Sequence, residues 1–240
     1  MATFNGELFL GEQIDSILSE LTEFDQLVVV DDCSKDRTLD ILSSYASRDT
    51  RIVIIKNEYN LGVVKTFEIS LCNASNEIIF LADQDDIWVP GRIDSCLSIL
   101  ASKPEVAAVL VNAEILAFDE KTGRSFYCSN AVPALTLSSQ LLKNKVIGCC
   151  LCFRKSVLGL ALPFVPGISM HDWWLGCSSL LVGKIYFLDE NKIYYRRHSN
   201  NASPAKRRDL AVVIKSRIKD LSCFLRLLLR LLGKGLKRVK

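Results

Sequence analysis

Short runs of apolar, often β-branched residues alternate with amphipathic stretches through the first hundred positions, the pattern of a parallel sheet flanked by helices. Gln26–Asp31, Arg51–Lys56 and Glu77–Ala82 are predicted strands, with helices between them. The first and third run into acidic residues. In an open α/β sheet, ligands bind outside the carboxyl ends of the strands, so these acids are expected to line a cleft. Val106–Phe118 is a long apolar run and a predicted strand, followed by a turn at Glu120–Gly123 and a partner strand at Arg124–Cys128. The pattern then loosens into a buried strand at 147–154, a helix at about 170–181 and a strand pair at 184–195.

The carboxyl-terminal segment has a different periodicity. From about Asp209 to Gly233 a helical projection places Leu210, Ile214, Leu221, Leu225, Leu228 and Leu232 on one side and Lys215, Lys219, Arg226, Arg230 and Lys237 on the other. Arg226 and Arg230 interrupt the apolar run, which argues against a spanning helix. Two readings remain: a helix lying in an anionic membrane interface, or one packing its leucines on the body or on a second copy. Charge distribution favours the first. Residues 206–240 hold 12 Lys/Arg against two Asp, a net of +10, which leaves residues 1–205 at −7 within a chain of +3. A single aromatic, Phe224, in that tail and an acidic body make nucleic acid a poor partner.

With 240 residues, 49% of them hydrophobic, the chain is able to bury one full core. Its nine cysteines include one cluster, Cys149, Cys150 and Cys152, inside an apolar run and without a second pair at zinc-ligand spacing. Buried thiols of a reducing compartment are the simpler account. No charged-then-apolar leader is visible, which places the body in the cytoplasm.

Three segments carry candidate chemistry. In Asp83-Gln84-Asp85-Asp86, three carboxylates within four residues at a strand end repel one another, and a divalent cation among them relieves that repulsion. A helix cap accounts for one Asp but not for three. In Asp31-Asp32-Cys33-Ser34-Lys35-Asp36, Ser34 or Asp36 is able to cap the next helix, leaving Asp31 and Asp32 unexplained. The third, Met170-His171-Asp172-Trp173-Trp174, reads either as a helix start with core tryptophans or as a carboxylate placed to act as a general base beside stacking aromatic rings. His198, in Tyr195-Arg196-Arg197-His198, is a metal-ligand candidate or a surface residue.

Together with Ala2-Thr3-Phe4-Asn5-Gly6 and Asn60-Leu61-Gly62, these segments resemble, in order and spacing, family 2 inverting glycosyltransferases, in particular rhamnosyltransferase-like enzymes of cell-surface polysaccharide assembly. The resemblance covers most of residues 1–200. It implies an α/β GT-A fold: a Rossmann-like mixed sheet with helices on both faces, a nucleotide-binding half over about 1–105 and an acceptor-side half over 106–205, followed by the basic amphipathic helix of 206–240. It further implies transfer of one hexose or deoxyhexose from a UDP- or dTDP-sugar to a glycan or lipid-linked acceptor, dependent on Mg²⁺ or Mn²⁺, at the inner face of the cell membrane. By the same resemblance Thr3 and Asp32 meet the nucleobase, Asp83 the ribose, Asp85 the metal and diphosphate, and Lys65 the nucleotide. Asp172 is the base and His198 completes the metal shell. Trp88, Arg92, Trp173 and Arg197 are candidates for acceptor or phosphate contacts.

The chain departs from that pattern in its first strand, which relatives carry ahead of Thr3-Phe4-Asn5-Gly6 and which is here truncated to almost nothing. It also lacks the Gln-x-x-Arg-Trp segment and spanning helices of processive polymerases, which favours single-sugar transfer. A non-catalytic relative acting as a binding or scaffold protein is the competing reading. A nucleotidyltransferase is disfavoured because Gly6-Glu7 supplies no Gly-rich, basic phosphate loop.

Overall fold

The computed structural model describes residues 1–117, 120–127, 133–198 and 210–237, with side chains of the last helix described over 216–233. Its elements run β1 (Ala2–Thr3), α1 (Leu10–Leu18), β2 (Leu27–Asp31), α2 (Thr38–Ala46), β3 (Ile52–Lys56), α3 (Val63–Cys72), β4 (Ile78–Phe80), β5 (Ile87–Trp88), α4 (Arg92–Ser102), β6 (Val106–Ala117), β7 (Glu120–Ser125), α5 (Leu137–Leu142), β8 (Leu151–Arg154), α6 (Leu158–Ala161), α7 (His171–Val182), β9 (Lys184–Arg197) and α8 (Leu210–Lys237). They form the mixed α/β architecture expected of a GT-A protein.

Two sheets share one core. β1, β2 and β3 make a parallel sheet in that order, with Ala2 opposite Val30 and Leu27 opposite Ile52. All five residues of β2 are buried, and this is why the run reads as continuously apolar rather than alternating. The second sheet has the order β4-β8-β6-β9-β5, with β7 antiparallel to the end of β6. β6 and β9 are parallel, so the chain between them crosses over through α5, α6 and α7.

β1 is two residues long, yet its ladder is complete where it exists. The Met1 ammonium donates to Val28 O at 2.7 Å, Val30 N–H to Met1 O at 3.0 Å and Asp32 N–H to Thr3 O at 2.8 Å. Behind Met1, between Leu27–Val28 and Ile78–Ala82, lies a largely apolar cavity of about 300 Å³ that also touches Ile17 and Leu71. The two sheets are not hydrogen-bonded to each other through any strand among the described residues.

Several expectations are corrected. The run at 184–195 is one strand, β9, rather than a pair: its polar middle, Asp189-Glu190-Asn191, is absorbed by register shifts against β6 instead of turning. The expected turn at Glu120–Gly123 is the start of β7, and Cys128 lies outside the described residues. Gly148–Cys150 form a 3₁₀ turn, so the strand expected at 147–154 starts only at Leu151. The helix after the acidic segment begins at Arg92, preceded by the short strand β5.

α8 satisfies neither of its two readings alone. Cys223, Phe224 and Leu227 are buried against the body, and Lys219 crosses Gly167, while Ile218, Leu221, Leu225, Leu229 and Leu232 form an exposed apolar stripe. Arg230, expected on the cationic side turned toward anionic headgroups, donates to Pro163 O at 2.6 Å and Ala161 O at 3.3 Å, which ties the helix to the end of α6. No helix among the described residues is long and apolar enough to cross a membrane. Residues 199–209, where the boundary at 205 falls, and residues 238–240 lie outside the described residues.

Candidate active site

Each strand of the parallel sheet ends in a loop fixed by side chains of its neighbour. Asp31, fully buried at the end of β2, accepts from the Ser34 hydroxyl at 2.5 Å and the Ser34 N–H at 3.0 Å. Asp32 accepts from Asn57 Nδ2, Leu61 N–H and Gly62 N–H, each at 2.8 Å, and so holds the Asn60-Leu61-Gly62 loop. Asp36 accepts from the Thr38 hydroxyl and N–H and from Glu7 N–H. Burial pushes its carboxyl up, but these bonds prevail and hold it below the usual carboxylate range. All three acids of this segment therefore do structural work, including Asp31 and Asp32, for which capping offered no explanation.

The acidic segment after β4 is anchored from the opposite side. Gln84 accepts from Phe4 N–H at 2.8 Å and donates back to Phe4 O at 3.1 Å. A Cβ at Gly6 would come within 2.5 Å of that Gln84 carbonyl, so a side chain there would push Gln84 from its bonds to Phe4. From α1, Gln13 donates to Asp83 O at 2.7 Å. From β9, Arg196 donates through its backbone to Asp86, through Nε to Asp85 O at 2.9 Å, and through its guanidinium to Glu12 at 2.6 Å. His198 Nε2 lies 2.8 Å from Asp85 Oδ2.

These anchors bring Thr3, Asp32, Asp83, Asp85 and Asp172 into the wall of one cavity of about 380 Å³, together with Gly62, Gly148, Met170, His171 and Tyr195. Thr3 is nearly covered, its hydroxyl within 3.3 Å of Asp31 Oδ1. The acids on the β4 side crowd one another. Desolvation, followed by the charges of Asp86, Asp85 and Asp172, pushes the Asp83 carboxyl far up. Desolvation and Asp85 raise Asp86 to about 7, against the pull of the Cys149 thiol and the Arg196 N–H. Asp172, in the first turn of α7, is raised to about 6 by burial despite N–H donation from Trp173. Carboxyl groups held up in this way release their protons most readily when a cation arrives.

The donor set suits a hard divalent cation. Asp83, Asp86 and Cys149 offer ligand atoms within 4.8 Å of one another, and Asp85 with its His198 partner adjoins them. Cys149 is a free, fully buried thiol pushed up by its bond with Cys150 and by burial, so the oxygens are the better ligands of the three.

Five other candidates lie elsewhere. Arg92 is completely buried, its guanidinium 4.0 Å from the Trp88 ring centroid and donating to Cys149 O at 2.6 Å, so both side chains belong to the core beneath the acidic segment. Trp173 is also core, its indole N–H donating to Gln140 O at 3.0 Å. Lys65 points to Glu68 at 2.7 Å and is not in the cavity wall. Arg197 is exposed, and the neighbouring Arg196 reaches the acids in its place. The available signal was alternation: along an extended segment Arg196 and His198 share a side, and Arg197 does not. Tyr195 and Gly148, unassigned by the sequence, are brought to the cavity by β9 and by the 3₁₀ turn.

Residues 1–158 match the sequence profile described as Glycosyl transferase family 2. The chain belongs to that family. An uncharacterized glycosyltransferase of Haemophilus influenzae is 32% identical over 215 residues, covering 85% of this chain and 66% of the relative. The Escherichia coli UDP-Glc:alpha-D-GlcNAc-diphosphoundecaprenol beta-1,3-glucosyltransferase is 28% identical, covering 75% of this chain and 68% of its own length. Among solved structures, residues 1–349 of S. aureus TarS in complex with UDP-GlcNAc superpose with a TM-score of 0.70 at 20% identity, over 91% of this chain and 64% of that one, a likeness of fold. The chain spans 58 to 66% of the length of three curated relatives it matches.

Proposed function

We propose that this family member is an inverting, metal-dependent glycosyltransferase that moves a single hexose or deoxyhexose from a UDP- or dTDP-sugar to a glycan or lipid-linked acceptor of cell-surface polysaccharide. One observation carries the reading: acids from three separate segments, Asp32, Asp83 with Asp85, and Asp172, share the wall of a single cavity. The E. coli relative, named for UDP-glucose and a diphosphoundecaprenol-linked acceptor, supports the choice of donor and acceptor classes.

In this reading the nucleobase lies by Thr3 and Asp32, the ribose by Asp83 and the diphosphate by Asp85. Asp85 and His198 would hold a Mg²⁺ or Mn²⁺, which would supply positive charge to the diphosphate. Asp172 takes the proton of the acceptor hydroxyl as its oxygen attacks the anomeric carbon from the side opposite the leaving nucleotide. A carboxyl raised to about 6 is mostly ionised at neutral pH and still a better proton acceptor than an ordinary Asp. The exposed leucines of α8 support peripheral attachment to an anionic membrane surface at the cytosolic face. Calorimetry with UDP and dTDP, with and without Mn²⁺, tests the core of the proposal: metal-linked nucleotide binding is expected, and its absence for both nucleotides leaves the scaffold reading standing.

A further inference from the structure

His171 is a buried polar side chain in the cavity wall that the proposed reaction leaves without a task. It is 3% exposed, stacks on Phe67 with ring centroids 3.8 Å apart and an interplanar angle of 19°, and has no hydrogen-bond partner at either ring nitrogen among the described residues. Buried polar atoms are nearly always paired, and leaving one unpaired costs about 1–3 kcal/mol. The fold nonetheless makes room for this ring: a side chain at Gly148 would come within 2.9 Å of Nε2, so glycine is needed for the imidazole to reach its place.

The chemistry of the missing partner follows from the state of the ring. Burial, with a smaller push from the Met1 ammonium, lowers the imidazole to about 3, so it is neutral at physiological pH. A neutral imidazole has one N–H donor and one lone pair. It offers no charge to a phosphate. Among the described residues the ligand-atom group that could hold a metal is Asp83, Asp86 and Cys149, and His171 is not part of it. A hydroxyl both donates and accepts, and it complements the ring. His171 adjoins Asp172 and lines the same wall as Gly148, Ile147, Met170 and Tyr195, with its stacking partner Phe67 supplied by α3.

We propose that His171, held by its stack on Phe67, is a sugar-binding residue that reads a ring hydroxyl of the transferred sugar. The inference rests on the transferase reading and adds to it the group that distinguishes a nucleotide sugar from its free nucleoside diphosphate.

Calorimetry on the full chain with Mn²⁺ tests this with four pairs of probes: UDP and UDP-glucose, UDP and UDP-N-acetylglucosamine, dTDP and dTDP-rhamnose, GDP and GDP-mannose. Wild-type protein is expected to bind at least one sugar conjugate more tightly than its own diphosphate. His171→Phe keeps the stack and removes both nitrogens, and should shrink that ratio about tenfold while leaving affinity for the free diphosphate unchanged. His171→Gln, which retains a donor and an acceptor, should recover part of the ratio. Because the chain has only two histidines, ¹⁵N-labelled imidazoles give an independent readout: the His171 nitrogens should shift with the sugar conjugate and stay in place with the diphosphate alone. An unchanged ratio in His171→Phe, an equal loss of diphosphate and conjugate affinity, or no preference for any conjugate in wild-type protein each overturns the inference. Failure of wild-type protein to bind any nucleoside diphosphate overturns the transferase reading itself, a distinguishable result.

Discussion

Two acidic rims border the cavity, and the same side chain behaves differently in each. At the end of β2, Asp31, Asp32 and Asp36 are surrounded by N–H and hydroxyl donors that fix the neighbouring loops. After β4 and at the start of α7, Asp83, Asp86 and Asp172 sit among one another with too few donors, and burial pushes all three above the ordinary carboxylate range. The first rim commits most of its charge to structure, although Asp32 also lines the cavity. The second holds charge in reserve, and reserve of that kind is what a cation or a proton in transit requires. Composition does not separate the two; the supply of donors does.

The sharpest way to break this contrast is Asp172→Asn. If the second rim is the chemical one, transfer measured by nucleoside diphosphate release on membranes bearing lipid-linked glycan should fall by about 10²–10⁴-fold, with nucleotide affinity retained. Joint loss of transfer and nucleotide binding removes Asp172 from its role as base. Next in size, Asp85→Asn should weaken Mn²⁺-linked nucleotide binding by about 10–100-fold without lowering the thermal midpoint of the apoprotein. On the first rim stability suffers as well as binding: Asp32→Ala removes the 2.8 Å acceptor of Asn57 Nδ2, Leu61 N–H and Gly62 N–H, of which Asn57 keeps Thr66 Oγ1 and Gly62 keeps Asn60 Oδ1, and urea unfolding should report a loss of about 1–3 kcal/mol beside weakened nucleotide binding.

Titration gives a milder test. Asp172 and Asp86 have folded-state values, about 6 and about 7, above those of an unfolded Asp. Their contribution to stability is therefore complete below pH about 4 and is lost as pH rises through those values. Urea midpoints of the metal-free protein should fall between pH 5 and 8, and saturating Mn²⁺ should flatten the decline, whereas Asp36, held low, acts in the opposite direction at acid pH. Transfer should rise over the same interval as Asp172 ionises. The smallest effect on folding is expected far from both rims. Leu225→Ser with Leu229→Ser, on the exposed stripe of α8, should change stability by less than about 0.5 kcal/mol per site and yet abolish sedimentation with anionic vesicles. Undiminished sedimentation removes the membrane role of that face.

Much of this was legible from the chain. Continuous apolar β-branched runs announced β2 and β3, and Asp83-Gln84-Asp85-Asp86 and Asp172 stood out because several like charges at a strand or helix end need a reason. Other features were hidden because they depend on side chains distant in sequence. Gly6 reads as a loop glycine until Gln84, 78 positions away, is seen against it. Trp88, Arg92 and Trp173 look like ligand-facing residues, but large aromatic and guanidinium side chains serve equally well as core when a ring or carbonyl is at hand, as they are here.

The sequence by itself determined the order of the elements, the acidic character of the strand ends and the two-faced helix at the carboxyl terminus, because periodicity and local charge are properties of neighbours. Only the tertiary structure decided which aspartates have donors enough to offset their burial and which do not, that Arg196 rather than Arg197 turns inward, and that α8 buries one apolar face while showing another. Those outcomes depend on desolvation and on partners 25 to 111 residues away, and neither quantity exists until the chain has closed on itself.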